Sequence, residues 1–139
     1  MSTHPAVVTV ATRAPLALHD VPTISPAVGQ VRVRVEWTAS TPLDMHQADG
    51  GLLVVHPQVL GDGIAGTVVE VGPNVKDLAI GDRVFGFTFH NQQEKAHQVF
   101  VTVPVHLLGK VTILNYARRS SPLIYLLFRY HLQSNHPLR

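Results

Sequence analysis

The sequence predicts a mainly β domain, a small barrel or a sandwich, and three observations predict it. Residues 31–37 read VRVRVEW, apolar at odd and charged at even positions, which is the period of a strand with one wet face. Four further runs are rich in β-branched or aromatic residues and bounded by Gly, Pro, Asn or Asp. No long stretch before Lys110 carries the period of an amphipathic helix.

In chain order, AVVTVAT (6–12) reads as the first strand and VRVRVEW as the next, with Arg32 and Arg34 on its wet face and Trp37 in register with Val31, Val33 and Val35, hence in the core. Residues 40–51, STPLDMHQADGG, read as a turn-rich loop that holds Asp44 and His46 just after that strand. GTVVEVG (66–72) is a strand broken by Gly72-Pro73-Asn74. Gly81-Asp82 then opens DRVFGF (82–87), because these residue types supply the backbone angles a reversal requires. QVFVTVP (98–104) is the last strand expected. Beyond Lys110 the chain loses its acidic residues and gains Arg118, Arg119, Arg129 and Arg139. Residues 1–110 are therefore expected to form the domain and residues 111–139 a divergent basic and apolar segment, with a short helix over 123–132 or a tail.

With 139 residues the chain is the size of one domain, and 45% hydrophobic against 14% charged residues describes a folding chain, not a disordered one. A net charge of +2 without a cationic stripe argues against nucleic acid as a partner. The absence of cysteine excludes disulfides and thiolate zinc sites within these residues. The longest apolar run, LIYLLF (123–128), is far shorter than the roughly 20 residues of a membrane helix. No membrane partner and a cytoplasmic location are the expectations. His90 and His97 lack the spacing of a metal pair.

The run LGDGIAGTVVEVGPNVKDLAIGDRVFGF (60–87) places Gly61, Gly66, Val68, Val71, Gly72, Gly81, Asp82, Arg83 and Val84 in a G-x-x-x-x-G-x-V-x-x-V-G pattern followed by G-D-R-V. In this it resembles the N-terminal, GroES-like domain of the medium-chain dehydrogenase/reductase superfamily. PAVGQVRVRV upstream and AHQVFVTVP downstream look like that domain's flanking strands, so the likeness runs from about Pro5 to Lys110. The resemblance implies a partly open β-barrel.

It also implies a function. Zinc-dependent members carry a cysteine three residues before the Asp of the loop and a His-Glu pair after the first glycine of the long motif; here those places hold Thr41 and Asp62-Gly63. The chain therefore resembles the zinc-independent branch, the quinone oxidoreductases and fungal trans-enoyl reductases, and no zinc is expected. By the same resemblance Thr41, Pro42 and Asp62 border the substrate cleft, and His46 stands where the family has a lysine or histidine. An imidazole titrates near neutrality and can give a proton or hydrogen bond to a reduced substrate, with Asp44 orienting it or shaping the turn. The implied substrate is a small or carrier-bound enone or quinone and the implied cofactor NADPH. Nothing in residues 111–139 offers the strand, G-x-G-x-x-G turn and helix that hold a dinucleotide. A truncated product, inactive by itself, is expected. The alternative is a non-catalytic binding or regulatory module, a homo-oligomer through the C-terminal segment.

Overall fold

A computed structural model describes residues 2–88 and 90–112. The expected 123–132 helix lies outside them. In chain order the elements are β1 (Thr3–Thr9), β2 (Ala17–Pro22), β3 (Gln30–Thr38), α1 (Pro42–Gly50), β4 (Gln58–Val59), β5 (Gly63–Val71), β6 (Arg83–Phe87), β7 (Phe100–Pro104) and β8 (Leu108–Lys110). They form two antiparallel sheets, β2-β1-β4 and β7-β3-β5-β6-β8, and no closed barrel. Backbone bonds join the sheets where β1 meets the approach to β7: Val7 N–H donates to the His97 carbonyl at 2.8 Å and Val99 N–H to Pro5 at 3.2 Å.

The alternation in β3 works as the sequence predicts up to Val35. Val31 and Val33 are fully buried against Val68, Val84, Val101 and Val103, each burial contributing about 2 kcal/mol. It then fails. The β3–β5 register shifts between Val35 and Trp37, so Trp37 comes opposite Ala65 and is 54% exposed, which corrects its assignment to the core. A bulge adds a residue to one strand and breaks the period-2 parity beyond it. Arg32 is less wet than expected: its guanidinium pairs with Glu70 and lies 5.7 Å from the centre of the Phe100 ring.

β2, β4 and β8 add strands that the sequence pattern left as connections, and residues 42–50 of the expected loop are helical. Among the described residues no helix is long and apolar enough to cross a membrane.

The G-D-R-V motif owes its aspartate to the turn. Asp82 Oδ2 accepts from Ala79 N–H at 2.9 Å and from Lys110 Nζ at 2.7 Å, tying β8 to the β6 entry. The Lys110 hydrogen bond, then the Ala79 amide, hold its carboxyl below the ordinary value of 3.8. A depressed carboxylate stabilises the fold fully above its unfolded value and loses that contribution as pH falls through the lower folded one. Asp82→Asn should therefore lower the thermal midpoint at about pH 7, and lower it progressively less as pH falls through the lower folded value. A drop of the same size at every pH would show that the charge is not the cause.

Candidate functional site

The helix α1 is built by its ends. Thr41 is the N-cap in extended conformation, Pro42 occupies the first turn where a missing N–H costs nothing, and Asp44 stands at the third position. Asp44 Oδ2 accepts from Thr41 N–H at 2.7 Å and from the Thr41 hydroxyl at 2.9 Å. The carboxylate thus satisfies a backbone donor that a helix start leaves open and places negative charge at the positive end of the dipole. Gly51, with φ of 69°, ends the helix in the left-handed conformation and donates its N–H to the His46 carbonyl.

Asp44 also reaches out of its own segment. Its Oδ1 accepts from Gly61 N–H at 2.8 Å, and the side chain is buried. Among the described residues the carboxylate bonds to Thr41 and Gly61, tying the helix start to the approach to β5. His46 is exposed on the helix. Pro42 is exposed as well, and Thr41 half-buried.

Next to Gly61, Asp62 is 3% exposed and pairs through Oδ1 with the ammonium of Lys95, itself 6% exposed. The Asp62 carbonyl accepts from Thr88 N–H at 2.6 Å, which makes Thr88 its neighbour across the β5–β6 ladder; the Thr88 hydroxyl is buried with no partner among the described residues. The Lys95 segment is held in turn. Gln98 Nε2 donates to the Lys95 carbonyl at 2.6 Å and to the Gln92 carbonyl at 2.8 Å, leaving Gln98 Oε1 for His4 Nε2 at 3.0 Å. Because Gln98 Oε1 can only accept, His4 carries its proton on Nε2, and Nδ1 faces the Thr23 hydroxyl at 2.8 Å. His97 Nε2 lies 3.3 Å from the Ala39 carbonyl, joining the same segment to the end of β3.

Three stretches, 39–44, 60–62 and 95–98, thus meet around Thr41, Asp44, Gly61, Asp62 and Lys95. The structure bonds Asp44 to Thr41 and to Gly61, the neighbour of Asp62, and pairs Asp62 with Lys95, which the sequence pattern does not single out. Its only local signal is a basic residue beside the small Ala96 at the head of the last strand motif. Conversely, the letters GDGIAG (61–66) match G-x-G-x-x-G, yet they run into strand β5 with no helix after them, so they do not form a phosphate loop.

The zinc ligand positions do not fit an ion. Thr41 offers a hydroxyl, Asp62 is committed to Lys95, position 63 is glycine, and the described residues contain no group of three His, Cys, Asp or Glu side chains that could hold a metal.

Residues 27–114 match the family described as the alcohol dehydrogenase GroES-like domain. The chain is 33% identical over 96 residues to dehydrogenase orsE of Emericella nidulans, covering 66% of this chain and 28% of that protein. It is 34% identical over 93 residues to trans-enoyl reductase tndF of Aspergillus flavipes, covering 63% and 27%. Its fold superposes on an alcohol dehydrogenase superfamily protein from Novosphingobium aromaticivorans with a TM-score of 0.72 and 35% identity, covering 78% of this chain and 34% of that one. The chain spans about a third or less of the length of these relatives. Strand order, glycine pattern and matched segment agree: the chain belongs to the alcohol dehydrogenase GroES-like domain family, within the medium-chain dehydrogenase/reductase superfamily of oxidoreductases.

Proposed function

We propose that residues 1–110 form the substrate side of a zinc-independent oxidoreductase that reduces an electron-poor double bond, in a free or carrier-bound enone or in a quinone, with NADPH as reductant. The observation that carries this reading is the Asp62–Lys95 pair: at a position where zinc-dependent members of the superfamily carry a ligand, this chain has a carboxylate neutralised by its own ammonium. Identity to a trans-enoyl reductase supports the enone over the quinone. NADPH supplies a hydride when bound. The described residues lack a helix opened by a glycine-rich turn, and the dinucleotide is held by a fold outside them.

Within this reading Thr41, Pro42 and Asp62 border the substrate, Asp44 sets the position of the helix start, and His46, exposed on α1, hands a proton to the reduced substrate. The test is a chimera in which residues 27–114 replace the matching segment of tndF. With a crotonyl thioester it should oxidise NADPH in the presence of a chelator, and His46→Ala should slow turnover roughly a hundredfold. A requirement for added zinc, or NADPH oxidation by the 139-residue chain alone that His46→Ala abolishes, would overturn the reading.

A further inference from the structure

We infer that Lys95, held by Asp62, is the group that receives the carbonyl oxygen of the substrate. The inference rests on the reading above and assigns to one side chain the recognition that reading leaves open.

Three facts point to it. First, Lys95 and Asp62 are both more than nine-tenths buried, and a buried ion pair is seldom retained for stability, since its desolvation cost offsets the attraction and an apolar pair of similar volume serves as well or better. Second, the ammonium has donors left over. An ammonium has three N–H donors, of which Asp62 Oδ1 takes one, and no other acceptor engages Nζ among the described residues. Unused buried donors call for an acceptor, and a carbonyl oxygen has two lone pairs to offer. Third, the pair sits at the junction of the three stretches that carry the other site residues, one position from the Asp44–Gly61 bond. Gln98 fixes the Lys95 backbone and the Asp62 carboxylate fixes its head, so the donors are oriented before the ligand arrives.

Asp62 engages one of the ammonium donors and leaves the others unspent. When hydride arrives at the far carbon of an enone, negative charge grows on the carbonyl oxygen, and a preformed ammonium there stabilises it. Lys95 needs to lose no proton for this; the carbon that becomes carbanionic is protonated from elsewhere.

The experiment is a nuclear magnetic resonance titration of the 139-residue chain with cyclohexenone and with cyclohexene, its counterpart without the oxygen. The wild-type chain should prefer the ketone by about tenfold or more, and the Lys95 ammonium resonance should move with the ketone alone. Lys95→Met strands a buried carboxylate and can fail to fold, so the decisive variant is Asp62→Asn with Lys95→Met, which removes both charges. In it the preference should fall to about twofold or less. A tenfold preference that survives in the double variant overturns the inference and leaves the proposed function standing. Equal binding of both probes by the wild type also overturns it; binding of neither overturns the proposed function with it.

Discussion

Gly66→Ala is expected to abolish folding. Gly66 lies mid-strand in β5, opposite Val35 of β3 and Val84 of β6, so both its edges are paired. A Cβ there would stand 2.1 Å from the Arg34 carbonyl oxygen and 3.0 Å from Val33 Cγ1. The first of these neighbours is backbone and cannot rotate away. Relief requires β3 and β5 to part at the centre of the larger sheet, where Val33 and Val68 are fully buried. Overpacking of that kind belongs to the large end of point-mutant effects, beyond about 4 kcal/mol, against a total stability of about 5–15 kcal/mol. Circular dichroism should show no cooperative thermal transition. The control is Gly50→Ala at the end of α1, where an added Cβ meets nothing within 4 Å; it should be neutral or stabilising by up to about 1 kcal/mol. If Gly66→Ala melts within a few degrees of wild type, the close approach of the two strands is wrong.

Asp44→Ala is expected to cost about 3 kcal/mol. The carboxylate accepts three hydrogen bonds, two from Thr41 and one from Gly61, from a buried position. Hydrogen bonds to a charged group contribute roughly 1.5–3 kcal/mol each, and part of the loss is recovered as water reaches Thr41. The Gly61 amide has no such recourse, because its bond to Asp44 is buried. Asp44→Asn keeps one acceptor oxygen and should fall between the two. Urea unfolding measures both, and a loss below about 1 kcal/mol for the alanine variant would mean that the helix start is held by something else. The effect should not stay local. With the Asp44–Gly61 bond gone, the stretch carrying Asp62 loses its tie to α1, and the amide exchange of Gly61 should quicken more than that of Val31 or Val103, which are held in the β3–β7 ladder and the core.

These two sites differ in how far they can be read from the chain. The glycine pattern around Gly66 is written in the sequence and marks a sheet whose strands approach closely. The helix at 42–50 was signalled only by its ends, Thr41-Pro42, Asp44 and Gly51. Its interior carries no apolar stripe, since its buried side chains are Asp44 and Gln47, so a reading that looks for hydrophobic period sees a loop. The strands β2, β4 and β8 escaped for a related reason: they are short or exposed, and a partner strand that needs its edge paired makes them strands. Trp37 was misplaced because a bulge is decided by the neighbour's register, which the strand's own letters do not contain.

What the sequence by itself determined is the β class, the valine-lined centre and the family. Each of these rests on local alternation or on spacings within one continuous stretch, which carry into the fold wherever no bulge interrupts them, as at Val31 and Val33. Only the tertiary structure decided that Asp44 bonds across to Gly61 and that Asp62 meets a lysine 33 positions away. Contacts of that range depend on how the two sheets close on the stretches between them, and a buried charge gains its partner from that closure, not from its neighbours in the chain.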